Sequence, residues 1–427
     1  MISQTSPLSR LRRPGAVVAA IAVTVGLGLL PAGPATAGTT SLPLGDTDLA
    51  ESRTVETLAR GVTLTRIVRG TEPAPADQIN TTTRGPWVVN VLTIDPKKAR
   101  GHLKATYGPD LAGVEKTTDL VRSAGALAGV NASFFTFTAS AEYPGDPVGL
   151  GVFGGKLLSE PTGDPAEVNL VVDATSNKVV MGQTRWTGSV RNARTGATLP
   201  LEFVNHPPVV PAGCAALTDQ TQCALPGDVV RFTPEFAAAT PSGAGVEVVL
   251  DRNGCVVRTS AVRGTALAQG QVSLQATGAD TNNLLSVVKG CVEQTSALTN
   301  ERGERVALRP GLFAVNGRYR LTAAGEIVVP EGSDSFFARN PRTIAGTTRD
   351  GRIVLATVDG RMTSSVGTTM GETAVVAQAL GLRDAINLDG GGSTAMSVGG
   401  TLVNRPSGGT ERAVGDALVF VDSRFRR

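Results

Sequence analysis

Histidine is almost missing from this chain of 427 residues, which holds two, His102 and His206. A metal centre built on three histidines is therefore excluded, and a Ser-His-Asp triad would have to use one of these two. Neither stands near a G-x-S-x-G elbow, and in FVNHPPVV and ARGHLKATYG they read as a loop and a strand residue rather than as bases. Aromatic residues are scarce at 4%, while 51 glycines and 25 prolines point to a fold of strands and turns. Charge of one sign is lacking too: 40 Lys and Arg stand against 37 Asp and Glu, which leaves no broad basic footprint for nucleic acid. An anionic ligand would have to be met by local cations. No Walker sequence and no C-x-x-C turn occur. GLGVFG, at 149–154, formally matches G-x-G-x-x-G, but Pro161 and Pro165 follow too closely for a helix to open there, so it reads as a hairpin.

What is present at the N-terminus sets the compartment. Arg10, Arg12 and Arg13 precede an apolar run over 16–30, and Ala35 and Ala37 form an A-x-A cleavage signal. The run is too short and glycine-rich for a membrane anchor, so residues 1–37 are expected to be a removed signal peptide and the mature chain secreted or in the cell envelope. The export route stays open, because the Arg12-Arg13 pair lacks the rest of a twin-arginine motif. Four cysteines, Cys214, Cys223, Cys255 and Cys291, suit an exported protein with two disulfides. Three pairings are possible; the close pair Cys214 and Cys223 is preferred, which leaves Cys255 with Cys291. Zinc ligation is disfavoured by the spacings.

The expected fold class is α+β: a flexible polar leader over 38–60, then one strand-rich catalytic domain over 61–427 with a few helices. GVTLTRIVRG, PWVVNVLTIDP, GVEVVLD and GCVVRTSAV read as strands, and residues 114–127 and 370–380 as helices. The second helix is closed by Gly381, and Thr369 with Glu372 stands in the T-x-x-E spacing of a capping box.

Chemistry-bearing residues crowd between 339 and 412. A strand ends in Asp359, Gly360 and Arg361; a second, INLD, alternates so that Asn387 and Asp389 share a face, and it ends in Gly390, Gly391, Gly392 and Ser393. Three successive glycines remove side chains where a ligand could approach the backbone. Arg342, Arg361 and Arg412 supply cations, and the N-terminus of the second helix adds partial positive charge. Such a set could bind an anion and offer acid/base carboxylates without histidine or metal.

GVNASFF (129–135), RNPRTIAG (339–346), TVDGR (357–361), GETAVVAQALGLRDAINLDGGGSTAM (371–396) and VNRPSGGTERAVGDAL (403–418) together resemble the phosphodiester glycosidase family, of the uncovering-enzyme type that removes N-acetylglucosamine from a phosphodiester. The resemblance implies a hydrolase that cleaves the anomeric C–O bond of a sugar joined to a phosphodiester. It carries Glu372, Asp389 and Asp359 over as candidate catalytic carboxylates, and Asn131, Arg342, Thr343, Arg361, Asn387, Gly390, Gly391, Gly392, Ser393 and Arg412 as substrate-binding residues. Asn404 and Glu411 match the closing segment, while Ala132 and Ser133 replace glycines usual in the family, a change expected to touch substrate fit. No cofactor is expected, a divalent cation shared by Asp359, Asp389 and phosphate being the lesser alternative. The expected partner is a sugar-phosphodiester or a cell-envelope glycan, not nucleic acid. Attack at phosphorus, and a non-catalytic module that holds an anionic glycan, are the other functions these residues would serve.

Overall fold

The computed structural model describes residues 41–424, so the expected signal peptide and its cleavage site lie outside the described residues. Runs of Val, Ile, Leu and Thr become strands where the sequence suggests them: Val62–Arg69, Trp87–Ile94, Gly243–Leu250, Val256–Arg263 and Ile353–Val358. The GLGVFG stretch turns a hairpin between Gly151–Phe153 and Lys156–Ser159. Three α-helices occur among the described residues, and the architecture is mainly β. The strand-rich expectation holds; the α+β label fits only loosely.

A twelve-stranded sheet forms the frame. Its path runs from Glu51–Ala59 through Val62–Arg69, Trp87–Ile94, Ile353–Val358, Arg342–Thr348 and Leu382–Leu388 to Leu312–Ala323 and the hairpin. Neighbours on this path are antiparallel. Both faces are covered, which explains why its central strands are apolar on both sides rather than alternating with polar residues. One face, with Leu92, Ile94, Leu355 and Ile386, packs on Leu103, Val130, Leu418 and Phe420 of a five-stranded sheet. The other, with Val89, Val91, Ile344 and Val358, packs on Met370, Ala374, Val376 and Ala377 of the helix Met370–Ala379. Each fully buried aliphatic side chain stabilises the stack by about 1.5–3 kcal/mol.

The chain between Lys178–Gly182 and Leu312–Ala323, both strands of the large sheet, holds the cysteines. Thr184–Asn192, Thr198–Leu201 and Val292–Asn300 make a three-stranded sheet, and a five-stranded sheet is built on Val229–Phe232, Val272–Ala276, Gly243–Leu250 and Val256–Arg263. Their shared core includes Val190, Val248, Leu274 and Leu284. The disulfides are Cys214–Cys223 and Cys255–Cys291. The second ties the turn before Val256–Arg263 to the start of Val292–Asn300, and so crosslinks the two sheets.

Two expectations need correction. The leader is not loose over its described part: Leu42 and Leu44 are 1% exposed in the helix-side core, and Glu51–Ala59 is an edge strand of the large sheet. Its polar composition hid two leucines whose backbones are held, Leu44 O by the Arg69 Nε–H at 2.6 Å and the Leu42 N–H by Glu51 Oε2 at 2.7 Å. The helix expected over 114–127 is only Thr117–Ser123, because Lys116 is extended and Gly125 takes a left-handed φ of 59°. No helix among the described residues is long and apolar enough to cross a membrane.

Candidate active site

Register brings the sequence's acid and arginine signals to one edge of the large sheet. Arg342 pairs with Val358 and Thr343 with Leu388, so the C-terminal ends of Ile353–Val358 and Leu382–Leu388 flank the N-terminal end of Arg342–Thr348. Asp359, Asp389 and Arg342 therefore emerge together. Beside them opens a cavity of about 360 Å³ lined by Asp389, Asn387, the three glycines and Arg342, Arg361 and Arg412, with Phe134, Phe336, Ser335 and Asn340 completing the wall.

Asp389 is the one acid on that wall. Burial pushes its carboxyl up to about 7, opposed by a Ser393 hydrogen bond, the Arg412 charge and the Gly390 N–H, which donates to Oδ1 at 3.0 Å. Such a group changes charge near neutral pH, as acid/base and nucleophilic roles require.

The cations are held without acids. Arg342, 2% exposed, donates to the carbonyls of Thr368, Phe336 and Ala338 and lies 5.5 Å from the Phe336 ring centre. Desolvation, with the nearby Arg361 charge, brings its pKa down to about 10. Arg361 donates through Nε and Nη2 to Asn340 Oδ1 at 3.0 and 2.6 Å, from a backbone at φ 59° that a non-glycine residue seldom adopts. Arg412 stacks 4.4 Å from the Phe137 ring centre and reaches Ser393 Oγ at 3.5 Å. None of the three has a carboxylate within ion-pair distance among the described residues. Burial and the Arg412 charge lower the Arg361 pKa, and Arg361 in turn lowers that of Arg342, so the three cations repel one another. An anion in the cavity would relieve that repulsion.

Asn387 supports the same conclusion. It is 1% exposed, lines the cavity, and neither Oδ1 nor Nδ2 has a partner among the described residues. A buried amide left unsatisfied costs about 1–3 kcal/mol, a cost that a bound hydroxyl would remove. The glycines serve in part as expected: a Cβ on Gly392 would overlap Arg412 Nη2, and one on Gly391 would stand 3.4 Å from Arg361 Nη2. They make room for guanidinium groups. Two of the loop's N–H groups are already engaged, Gly390 on Asp389 Oδ1 and Gly391 on Pro341 O, so the loop is less of an anion nest than its composition suggests.

Several sequence candidates hold the site from behind. Asn131 is fully buried: Nδ2 donates to Asp389 O at 2.7 Å, and Oδ1 accepts from Thr343 Oγ1 and the Ala395 N–H. It positions Asp389 and does not line the cavity, and the same holds for Thr343. Asp359, raised to about 6 by burial, is bonded by the Arg405 N–H and Asn404 Nδ2 and also lies off the wall. Glu372 closes a capping box with Thr369 and pairs with Arg339 at 2.7 Å. Its carboxylate is spent on the helix end, outside the cavity lining. Glu411 accepts from Thr118 N–H and Oγ1. Among the described residues no group of three or more His, Cys, Asp or Glu is placed to hold a metal ion.

The Ala132 and Ser133 departure acts inward. Ala132 O accepts the Asp389 N–H at 2.9 Å, and Ser133 donates through N–H and Oγ to Asp416 at 2.7 and 2.6 Å. Asp416, raised to about 6 by burial, was invisible as a site residue, as were Asn340, Phe134 and Phe336. Phe134, Asn340 and Asp416 lie within the GVNASFF, RNPRTIAG and VNRPSGGTERAVGDAL motifs, which do not single them out, and Phe336 lies in none.

Over 93 residues the chain is 40% identical to an uncharacterised SPbeta prophage-derived protein, YomE, of Bacillus subtilis, a match that covers 20% of this chain and 14% of that protein. In three dimensions it resembles a putative exported protein of Burkholderia pseudomallei, with a TM-score of 0.75 and 28% identity over 90% of this chain and 98% of that one. A hypothetical protein from Synechocystis shares the fold at a TM-score of 0.64 and 20% identity, over 87% of this chain and 64% of that one. The model of the phosphodiester glycosidase family matches residues 241–421, a span that includes Asp389 and all three cavity arginines.

Proposed function

We propose that this chain is an exported hydrolase that releases a free sugar and a phosphomonoester from a sugar-phosphodiester. The observation that carries the reading is the convergence of Arg342, Arg361 and Arg412, none with an acidic partner among the described residues, on the cavity that Asp389 lines. A phosphodiester placed against these guanidinium groups receives charge-assisted hydrogen bonds in a partly desolvated site. The unsatisfied amide of Asn387 takes a sugar hydroxyl, and Phe134 and Phe336 offer apolar faces to the ring.

In the reaction the anomeric C–O bond breaks, its electron pair passes to the phosphate oxygen, and oxygen from water becomes bonded to the anomeric carbon. Ordinary glycosidases need two carboxylates because an alcohol leaving group must be protonated. A phosphomonoester is a far weaker base, so the single cavity carboxylate suffices: ionised Asp389 attacks the anomeric carbon or takes the proton of the attacking water. The arginines stabilise charge that grows on the departing phosphate. Export is supported by the N-terminal basic, apolar and A-x-A series and by the two disulfides. The domain is taken to run from residue 61 onward, with the preceding strand packed on it.

The test is to incubate the chain from Gly38 onward with a panel of sugar-phosphodiesters and follow phosphorus and proton NMR, with and without chelator. Free sugar and a phosphomonoester are expected. Sugar phosphate and free alcohol would move the attack to phosphorus, and activity abolished by chelator would require a metal ion.

A further inference from the structure

A second cleft, of about 540 Å³, lies in the cysteine-bearing part of the chain and shares no lining residue with the cavity above. Its size is that of ligand sites, which span ~300–1,000 Å³. The walls come from the three-stranded sheet, through Trp186, Gln294 and Ser296, and from the five-stranded sheet, through Arg231 and the turn at Asp251 and Arg252.

Trp186 is set as a platform. Ser296 is paired with Gly188 in the register, and the Trp186 Nε1–H reaches diagonally across to Ser296 Oγ at 2.8 Å. A Cβ on Gly188 would overlap the six-membered ring of the indole, so the ring lies down on the glycine and its own strand. A half-buried indole fixed in this way presents apolar surface to the cleft while its polar edge is satisfied. Beside it, among the described residues, the Arg231 guanidinium bonds only to Gln294 Oε1, at 2.9 Å through Nε. Lys156 is neutralised by Glu235 at 2.6 Å, and Asp251 accepts the N–H groups of Asn253 and Cys255. Neither Arg231 nor Arg252 has a carboxylate within ion-pair distance among the described residues. The Cys255–Cys291 disulfide links the two walls and limits how far they can part.

A flat aromatic face stacks on the C–H face of a pyranose, amides and hydroxyls at its edge meet sugar hydroxyls, and unpaired guanidinium groups meet anionic substituents. We infer that this cleft is a separate binding site for an anionic glycan strand, which stacks a sugar ring on Trp186 and places a phosphate or carboxylate on Arg231 and Arg252. The site holds the polymer and does no chemistry on it. A chain inert toward every phosphodiester would leave this inference standing, because it rests on other residues.

The two tryptophans make the test local. Trp87 is 0% exposed in the core, whereas Trp186 lines the cleft, so acrylamide quenching of tryptophan fluorescence reports Trp186. The probes are a yeast phosphomannan, in which mannose units are joined by phosphodiesters, and a neutral mannan. Phosphomannan is expected to lower the quenching constant about threefold, neutral mannan to leave it nearly unchanged, and Arg231→Gln to shift the phosphomannan midpoint upward by ~tenfold or more, the loss of a charge-assisted bond. If Arg231→Gln unfolds at the assay temperature, Arg252→Gln, on an exposed turn, is read in its place with a shift of about threefold expected. Quenching unaltered by phosphomannan, equal protection by neutral mannan, or an unshifted midpoint in the variant would each overturn the inference.

Discussion

Two ends of the same segment look alike in sequence and differ in the structure. At the start of the helix Met370–Ala379, Glu372 meets Thr369 and Arg339, so every charge there is matched inside the protein. At the end of the strand Leu382–Leu388, Asp389, Asn387 and three arginines face one another across a cavity with their bonding capacity partly unused. An acid whose bonds are complete stabilises the fold, whereas one that burial holds out of its comfortable state is left for chemistry. The difference is one of commitment rather than of residue type.

The sharpest way to break this comparison is to neutralise both acids. Asp389→Asn is expected to lower kcat by about 10³ or more with the fold kept, while Glu372→Gln keeps kcat within a few-fold and costs ~1 kcal/mol of stability from the lost ion pair with Arg339, the amide still closing the capping box. Steady-state kinetics and thermal unfolding of both variants decide it. An active Asp389→Asn chain, or a Glu372→Gln chain that is folded but dead, would reverse the assignment. Next in size, Arg361→Ala and Arg412→Ala should each raise KM for a sugar-phosphodiester about 10- to 100-fold, the worth of a charge-assisted bond to phosphate, whereas Arg339→Ala should act on stability first.

The pH dependence sharpens the comparison further. With Asp389 acting as carboxylate, kcat/KM should rise as pH increases through about 7, and Asp389→Asn should abolish that limb. Stability should move the other way. A carboxyl raised from an unfolded value of about 3.9 gives its full contribution below that pH and loses it as pH climbs to the folded value. Asp389, at about 7, therefore lowers stability between about pH 4 and 7, and Asp389→Asn should unfold at a higher temperature than the parent at pH 8. A variant less stable than its parent at that pH would contradict the burial argument. The disulfides lie outside the comparison and bear on stability alone: removing Cys255–Cys291, at a sequence separation of 36, should destabilise by ~4 kcal/mol at most, against ~2.6 for Cys214–Cys223, at a separation of 9, by the chain-entropy relation.

Much of the frame was legible because its signals are local. The strand Ile353–Val358 and the helix after Thr369 follow from apolar runs and a cap, and the cavity arginines stood beside glycines and strand ends. Other features depend on partners far away in sequence. Nothing in T-x-x-E tells whether the glutamate also faces a ligand; the Arg339 side chain decides it. Asn340, which holds Arg361 by two bonds, and Asp416, which holds Ser133, have no spacing pattern that marks them. Leu42 and Leu44 sit in a stretch too polar to suggest a core, and only the large sheet gives them one. The Trp186 platform needs a glycine two residues on and a serine across the sheet, a coincidence visible only once the strands are paired.

Asn131 also sets a timetable. Its three bonds reach across 212, 258 and 264 residues, to Thr343, Asp389 and Ala395. Contacts of such separation form slowly, because the intervening chain must first be gathered. During synthesis this asparagine waits until almost the whole chain has been made before it meets a partner. The cavity is thus among the last features to exist, and a chain carried across a membrane unfolded would bring its arginines together only on the far side.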